Sequence, residues 1–434
     1  MNPEVGTQDV ERTTLGAWLS YLERLHPKNI ELGLDRAAAV LQRLAINPRF
    51  PIVTVGGTNG KGSTCAFLEA MLSHAGYRAG LYTSPHLLRY NERVRIARQD
   101  VSDEDLCRAF EAVERARGDV TLTYFEFGTL AAMWLFAREN VGAAILEVGL
   151  GGRLDAVNCF DPDCAIVTSI DLDHQDYLGD TREAIGREKA GIFRHGRPAV
   201  CADPAPPSSL PGYAREVGAA LQRIGHDFGF ERETGCWHFH GPAGARRQLP
   251  YPALRGAFQL NNAAAAIAAL DAVAERLPVS DEAVRQALAE TVLPGRFQIL
   301  PGRPALIVDV AHNPHAARAL AENLAVLPAP RGGKTIALFA MLRDKDIGGV
   351  AQALAHAVDY WLLAGLDEAR GCDSAHLKQV LRAAGIDKPM EVFPDVARAY
   401  RRACEVAGEN DRMLAFGSFH TVAETLRQRY TAEG

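Results

Sequence analysis

The chain has 434 residues, of which 47% are hydrophobic and 23% are charged, and its formal net charge is −6. This composition is typical of globular proteins and excludes a disordered chain, a collagen-like repeat and a coiled coil as descriptions of the whole chain. At roughly 150 residues per domain, the length predicts two or three domains, each with its own core. The sequence has no basic tract, so we expect neither nucleic acid nor a membrane surface as a partner.

The N-terminal residues and the cysteines indicate a cytoplasmic protein. Glu4, Asp9 and Glu11 precede any apolar stretch, which argues against a secretory signal peptide. The most apolar runs are interrupted by charged residues before they reach the roughly 18 residues of a membrane span. The eight cysteines form no CxxC pair, and Cys159 and Cys164 lack a second pair or histidine partners. We therefore expect reduced thiols rather than a disulfide or zinc framework.

Short apolar runs alternate with amphipathic stretches between residues 50 and 201. Continuous apolar strands separated by helices predict a parallel, doubly wound α/β sheet. The predicted strands are 51–55, 79–82, 143–148, 165–170 and 198–201, with helices that include 63–75 and 125–138.

The chain between residues 202 and 304 has a different pattern. Proline and serine residues predict a loop at 204–209, and 235–249 has the pattern of a hairpin. Helices are predicted at 261–276, which is rich in alanine, and at 281–290. The turn-rich passage 294–304 is the candidate linker.

The α/β alternation begins again after the linker. Its predicted strands are 306–310, 336–340, 361–364, 391–393 and 413–416. The fold class is therefore α/β with two doubly wound domains, and the N-terminal domain is the larger.

A glycine-rich segment follows the first predicted strand, with the sequence GGTNGKGST at 56–64. Glycines let backbone N–H groups approach an anion closely, and the N-terminus of the next helix favours negative charge. Lys61 would reach the β- and γ-phosphates of a nucleotide. The strict P-loop pattern is not met because Gly62 follows the lysine, so Ser63 or Thr64 would supply the hydroxyl near Mg²⁺. The alternative is a glycine-rich turn with a solvated lysine.

Polar residues also follow the other predicted strands of this region. Ligands of open α/β sheets bind beyond the carboxyl ends of the strands, where Ser84, Glu147 and His174 would meet. An unpaired buried carboxylate is costly, so Glu147 is a candidate magnesium ligand. A hydrogen-bonded histidine in a polar loop is the favoured alternative for His174. For Lys189, on a predicted helix 183–193, the default is a surface salt bridge.

The second α/β region repeats this arrangement. Asp309, His312 and Ser418 follow or end predicted strands, which predicts a second ligand surface. Helix capping is an equal alternative, because Asn313 before a proline and Ser418 are both good N-cap residues. Arg296 in the linker would stabilise the charge of a transferring phosphate, or it is a surface arginine.

These segments together resemble the bacterial bifunctional dihydrofolate synthase/folylpolyglutamate synthases of the Mur ligase superfamily. The resemblance covers essentially the whole chain, and the family loop also lacks a hydroxyl directly after the lysine. The matching segments are LGLDR at 32–36, GTNGKG at 57–62, SPHL at 84–87, TYFE at 123–126, EVGLGGRLD at 147–155, DH at 173–174 with LG at 178–179, KAGI at 189–192, GRFQ at 295–298, DVAHNP at 309–314, DKD at 344–346 and GSFH at 417–420.

The resemblance implies an ATP-dependent amide ligase that acts on small molecules. We expect a monomer, because no strong apolar stripe in the sequence remains unassigned. In such an enzyme a carboxylate of dihydropteroate or a reduced folate takes the γ-phosphate of ATP. The amine of L-glutamate then attacks the acyl phosphate. Positioning and charge neutralisation provide most of the catalysis. The resemblance also implies a P-loop ATPase-like N-terminal domain, residues 1–297, and a Rossmann-like glutamate ligase domain, residues 298–434.

The resemblance assigns roles to individual residues. Those implied for catalysis are Lys61, His174, Lys189, Arg296 and His312. The ATP contacts are Gly57, Thr58, Asn59, Gly60, Lys61, Gly62, Ser63, Thr64, Asn262, Arg296 and Asp309. The ligands of two Mg²⁺ ions are Ser84, Glu147, His174 and Lys189, the lysine as a carbamate, and a monovalent cation is compatible. The substrate contacts are Leu32, Gly33, Asp35, Arg36, Thr123, Phe125, Asp155 and Ala156 for the pterin, and His312 and Ser418 for glutamate, with Asp344 or Lys345 as further candidates.

Two other functions stay open on the sequence. One is a ligase for a peptidoglycan nucleotide precursor, which is disfavoured because only about fifty residues precede the glycine-rich loop. The other is a nucleotide-switched binding protein that uses the same loop without making an amide.

Overall fold

The computed structural model describes residues 13–28, 30–327, 329 and 332–433. Glu4, Asp9 and Glu11, on which the signal-peptide prediction depends, lie outside these residues. Within the described ranges, no helix has both the length and the apolar character needed to span a bilayer. The chain forms two α/β domains, each built on its own sheet.

The N-terminal domain is built on an eight-stranded sheet with the order β4-β3-β2-β5-β1-β6-β7-β8. Its strands are β1 Ile52–Gly56, β2 Ala79–Tyr82, β3 Val94–Ile96, β4 Gln99–Asp100, β5 Ala143–Glu147, β6 Cys164–Val167, β7 Pro198–Cys201 and β8 Ala220–Arg223. The five predicted strands are confirmed. The predicted parallel sheet has an antiparallel edge that the sequence did not indicate, because β3 pairs antiparallel with both β2 and β4. Strands β3 and β4 are short and partly polar, so they lack the apolar run on which the prediction relied.

Helices cover both faces of this sheet. They are α1 Leu15–Leu25, α2 Asp35–Leu44, α3 Lys61–His74, α4 Asp103–Arg117, α5 Tyr124–Arg138, α6 Gln175–Leu178, α7 Arg182–Ala190, α8 Ser209–Val217, α9 Gln259–Ala272 and α10 Asp281–Glu290. One core contains side chains of α1, α4 and α5, and the core on the opposite face contains those of α3, α9 and α10. Helices α3, α5 and α9 are therefore apolar around most of their circumference, as expected for a central layer.

A three-stranded antiparallel sheet lies over the second of these cores. Its strands are β9 Gly229–Glu233, β10 Cys236–Gly241 and β11 Gly244–Leu249. The predicted hairpin at 235–249 is confirmed as β10 and β11, and β9 extends it. Trp237 and Phe239 point from β10 into the core, so burial of two large aromatic side chains attaches this sheet to α9.

The C-terminal domain has a six-stranded sheet with the order β12-β13-β17-β14-β15-β16. Its elements are β12 Gln298–Leu300, β13 Ala305–Asp309, α11 Pro314–Val326, β14 Thr335–Phe339, α12 Ile347–Leu354, β15 Tyr360–Ala364, α13 Ser374–Ala383, β16 Met390–Phe393, α14 Val396–Val406, β17 Arg412–Phe416 and α15 Phe419–Glu433. All neighbouring strands are parallel except the pair β12 and β13.

The candidate linker is only partly irregular. Residues 298–300 form β12, which pairs with β13, so the prediction of a linker throughout 294–304 is wrong there. Phe297 packs in the C-terminal core, one residue before the proposed boundary at 297/298. The boundary itself stays a prediction.

The carboxyl ends of the central strands of the two sheets face each other. The Asn59 side chain, after β1, donates to Asn313, after β13, at 3.1 Å. Lys345, after β14, forms an ion pair of 2.6 Å with Asp173, after β6. The loops that the sequence singled out therefore line a common space between the domains.

Candidate active site

The glycine-rich loop between β1 and α3 has a backbone shape that requires glycine. Gly57 and Gly60 both have positive φ, +145° and +89°. A Cβ on Gly57 would overlap the Thr168 hydroxyl, and one on Gly60 would meet the Asn262 side-chain oxygen. Lys61 Nζ donates to the carbonyl oxygens of Gly57, at 3.1 Å, and Thr58, at 3.3 Å. The lysine thus folds back along the loop, as expected for a cation that holds phosphates there.

An enclosed space of 130 Å³, called the inner cavity here, lies against this loop. It contains residues of both domains, and they include all the predicted catalytic and metal-ligating ones. These lining residues are Lys61, Ser84, Glu147, His174, Lys189, Arg296 and His312. The topology therefore brings together groups that are scattered along most of the sequence.

Glu147 ends β5 and is only 4% exposed. One carboxylate oxygen accepts the backbone N–H of Ser84 at 3.0 Å. Burial raises the pKa of Glu147, and the nearby Lys61 charge opposes this rise. Within the described ranges no basic side chain forms an ion pair with this carboxylate, so a bound cation would offset the cost of burying it.

His174 precedes α6 in the left-handed region, with a φ of +51°. Burial lowers its pKa to about 4, so the imidazole is neutral near pH 7 and has a nitrogen lone pair, and Lys345 Nζ lies 3.5 Å from its Nε2. The neighbouring Asp173 stays charged: although burial raises its pKa, His312, His174 and Lys345 lower it well below the usual value.

Lys189 lies in the last turn of α7 and is 4% exposed. The surface salt bridge considered from the sequence is therefore wrong, and no acidic partner is within ion-pair distance among the described residues. Burial, with a contribution from Lys61, lowers the pKa of Lys189 to about 7. A substantial fraction of this amine is uncharged at neutral pH, which makes it nucleophilic.

A second space of 330 Å³, the lateral cavity, extends from the other side of the loop. Its lining includes Asn59, Gly60, Ser63, Asn262, Arg296 and Asp309 from the predicted ATP contacts. Asp309 accepts the N–H groups of Phe297 and Ala311, at 2.7 and 2.8 Å, which holds the linker against β13.

The lateral cavity also contains residues that the sequence did not single out. The rings of Phe258 and His315 lie 5.2 Å apart at its edge, one from each domain. Gln259 donates to Ser63 at 3.4 Å and accepts from Asn262 at 3.0 Å. No sequence motif marks these residues: Phe258 and Gln259 reach the loop through the packing of α9 against α3, and His315 through the approach of the other domain.

Ser63 and Thr64, the two residues predicted to supply a hydroxyl after the loop lysine, are not among the residues that line the inner cavity. Ser63 lines the lateral cavity, and the buried Thr64 hydroxyl has no hydrogen-bond partner among the described residues. In the part of the chain that the structure describes, Ser84 is the serine that lines the inner cavity with Glu147.

Arg296 and His312 approach the inner cavity from the C-terminal side. The Arg296 guanidinium lies over the Phe419 ring, 5.4 Å from its centre, and this half-buried arginine lines both cavities rather than the outer surface considered from the sequence. His312 Nδ1 donates to the Val310 carbonyl at 2.9 Å. Its Nε2 is thereby directed towards Asp173, at 3.7 Å.

Comparison with known proteins shows the family of this chain. Residues 55–203 match the Mur ligase middle domain, and residues 295–419 match the Mur ligase glutamate ligase domain. A dihydrofolate synthase/folylpolyglutamate synthase of Escherichia coli is 48% identical over 413 residues, which cover 95% of this chain and 94% of that protein. The chain belongs to the dihydrofolate synthase/folylpolyglutamate synthase family.

Solved structures of the family agree with the fold. E. coli FolC in complex with DHPP and ADP has a TM-score of 0.92 at 45% identity, over 97% of this chain and 99% of that one. A Yersinia pestis member with Mn, AMPPNP and L-glutamate bound has a TM-score of 0.88 at 47% identity, over 96% and 98%. The chain is therefore an ATP-dependent ligase with a nucleotide-binding N-terminal domain, and ATP with a divalent metal ion fits its site.

The predicted pterin residues gather around the N-terminus of α5, but several of their polar groups already have protein partners. Arg36 pairs with Glu126 at 3.0 Å, and Thr123 caps α5 through the N–H of Glu126. Asp155 accepts the N–H groups of Leu150 and Val157, and burial raises its pKa to about 7. Gly33 donates to the Leu154 carbonyl, which joins the 32–36 segment to this loop. Leu32 and Asp35 belong to the 32–36 segment, and Ala156 follows Asp155 in the loop.

Ser418 is buried before α15 and accepts the N–H of Thr421 at 3.0 Å. Its hydroxyl is therefore used as a helix cap, the alternative considered from the sequence, although the residue also lines the space between the domains.

Proposed function

We propose that this chain joins L-glutamate to 7,8-dihydropteroate, giving dihydrofolate, and to reduced folates, giving polyglutamates. Each cycle would convert ATP to ADP and phosphate. The observation that supports this proposal is the inner cavity, where the loop lysine, a buried carboxylate and an arginine from the other domain line one space. Family membership supports the same activity.

The chemistry requires activation of a carboxylate, which is a poor electrophile. Transfer of the γ-phosphoryl group to a carboxylate oxygen gives an acyl phosphate with a good leaving group. The amine of L-glutamate then forms the amide bond, phosphate leaves, and the amine loses a proton. Lys61 and the loop N–H groups hold the phosphates, and Arg296 neutralises the charge that develops during transfer.

The residues present fit a magnesium site. Glu147 is a buried carboxylate with only a backbone donor, His174 is neutral, and Ser84 adds a hydroxyl in the same cavity. These three residues would hold one Mg²⁺, which supplies charge neutralisation for the phosphates. Lys189, buried and with a lowered pKa, fits a carbamate that supports a second Mg²⁺.

The substrates would occupy the space on either side of the inner cavity. We place the pterin near 32–36, Phe125 and 155–156, where an aromatic face stacks on the ring, and L-glutamate near His312 and Ser418. We further propose a monomer in the cytoplasm, without nucleic-acid or membrane partners, and a domain boundary at 297/298.

The decisive experiment is a product assay by mass spectrometry. The protein is mixed with ATP, Mg²⁺ and L-glutamate, with dihydropteroate in one sample and a reduced folate in the other. We expect dihydrofolate in the first sample and one added glutamate residue in the second, and no product from Lys61→Ala. ADP release that requires a UDP-muramoyl acceptor would favour a peptidoglycan ligase. Nucleotide binding without any amide product would favour a switched binding protein.

A further inference from the structure

A third space between the domains, the outer cleft of 710 Å³, adjoins the inner cavity. Gly149, His174 and His312 line both spaces. A long acceptor bound at Glu147 would extend into this cleft through the shared lining, and the charged residues of the cleft would then face it. The inference below rests on the proposed function and concerns one of these residues.

Four arginine and lysine side chains line the outer cleft, and three of them have acidic partners. Lys345 pairs with Asp173 at 2.6 Å. Arg370 pairs with Asp344 at 3.0 Å, and Arg427 pairs with Glu424 at 3.3 Å. The fourth is Arg93, which has no carboxylate within ion-pair distance in the described parts of the chain. Its charge is therefore available to an anionic ligand.

The described residues hold the Arg93 guanidinium in place without a hydrogen bond to its terminal nitrogens. Its Nε donates to Nδ1 of His86 at 2.9 Å. Its central carbon lies 5.3 Å from the centre of the Tyr90 ring and 5.4 Å from that of Tyr124. Two aromatic faces and one hydrogen bond fix the plane of the group, so little conformational freedom is lost when it binds a planar carboxylate.

Arg93 lies between the predicted pterin residues and the inner cavity. Tyr124, against which it packs, is followed by Phe125, and the Phe125 ring lies so close to Gly149 that a Cβ there would overlap it. Gly149 in turn lines the inner cavity with Glu147. An acceptor that extends from Phe125 to Glu147 passes Arg93 near its reacting end.

The two acceptors differ at this end. Dihydropteroate has a single carboxylate, the one that reacts, whereas a reduced folate ends in a glutamate residue with a reacting γ-carboxylate and an additional α-carboxylate. We propose that Arg93 binds the α-carboxylate of the terminal glutamate of the folate acceptor, a group that dihydropteroate lacks. Arg93 is thus a specificity residue for the second of the two reactions.

The test compares Arg93→Gln with the wild type in both reactions. We expect the KM for the reduced folate to rise about tenfold or more, as is typical for loss of a charge-assisted hydrogen-bonded pair. The KM for dihydropteroate should change less than about threefold. Arg89→Gln is the matched control, because Arg89 lies in the same segment but pairs with Asp103 away from the cleft. This control should leave both KM values unchanged.

A measurement on the wild type does not depend on how the variant folds. The first measurement uses a reduced folate whose α-carboxylate is replaced by a carboxamide. With the wild type, its KM should exceed that of the normal folate by the same factor by which Arg93→Gln raises the KM for the normal folate. For the Arg93→Gln variant, the normal reduced folate and its α-carboxamide should have the same KM. Equal losses with folate and dihydropteroate, or a rise in the KM for L-glutamate in both reactions, would overturn the proposal. Failure of the proposed function is distinguishable, because no amide product would then form with either acceptor.

Discussion

The inner cavity and the pterin region around α5 use their polar side chains in opposite ways. In the inner cavity, Glu147 and Lys189 are buried without an ion-pair partner among the described residues. Around α5, Arg36, Thr123 and Asp155 are hydrogen-bonded to other parts of the protein. A buried ionisable group without a partner either becomes neutral or is stabilised by a ligand of opposite charge, whereas satisfied polar groups fix the backbone. Substitutions should therefore damage activity alone in the first region, and stability together with acceptor binding in the second.

Lys61→Ala should have the largest effect. Loss of the cation that lies along the phosphate loop should lower kcat by roughly 10²- to 10³-fold or more. The melting temperature should stay close to that of the wild type, since among the described residues Lys61 forms hydrogen bonds only with two loop carbonyls. Steady-state kinetics and thermal unfolding check both parts. A rate near that of the wild type would remove Lys61 from the mechanism.

Glu147→Gln should raise the Mg²⁺ concentration for half-maximal rate by about tenfold or more, because an amide is a weak magnesium ligand. Without metal, the variant should be no less stable than the wild type, since the substitution removes a buried charge. Titration of Mg²⁺ against rate and denaturant unfolding in a chelator measure the two effects. An unchanged metal profile would contradict the ligand role.

Lys189→Met tests whether a basic residue of the inner cavity, like the acidic Glu147, contributes to activity and not to stability. The variant should lose most activity, while its free energy of unfolding stays the same or rises by up to about 2 kcal/mol, because an apolar side chain of similar volume replaces a buried amine. Urea unfolding at neutral pH measures the stability. A clear destabilisation would show that Lys189 has a structural role instead.

Thr123→Ala belongs to the other region. Loss of the α5 cap should lower the free energy of unfolding by about 1 kcal/mol. The KM for dihydropteroate should rise several-fold, because the start of α5 positions Phe125, whereas the Mg²⁺ dependence should not change. Ser280→Ala, which removes the cap of α10, is a control expected to cost similar stability without changing this KM.

The smallest expected effect is a change in shape. ATP contacts from both domains should favour a more closed arrangement with nucleotide bound. Small-angle scattering with and without ATP analogue and Mg²⁺ should show a slightly smaller radius of gyration when they are present. Identical curves would argue against a large domain movement.

The sequence predicted the strands that are continuous apolar runs and the polar residues at their ends. The strands before Lys61, Glu147 and Asp309 are continuous apolar runs, so their polar ends could be placed at one edge of a sheet. Strands β3, β4 and β12 were missed because they are short and gain stability from pairing rather than from their own apolar content. The burial of Lys189 was missed because it depends on how α7 packs against distant loops.

Contacts between the domains could not be predicted at all. The pair of Lys345 with Asp173 and the ring contact of Phe258 with His315 join residues far apart in the sequence. Neither pair has a characteristic spacing, so only the folded arrangement of both sheets brings them together.

The short strand β12 determines which domain Arg296 moves with. Phe297, the residue next to Arg296, donates its N–H to Asp309 and packs its ring in the C-terminal core. Arg296 is therefore attached to the C-terminal domain. Separation of the two domains would therefore move Arg296 away from the glycine-rich loop between β1 and α3. If Arg296 acts at the γ-phosphate as proposed, an open molecule would lack this positive charge there, and phosphoryl transfer would wait until the domains come together.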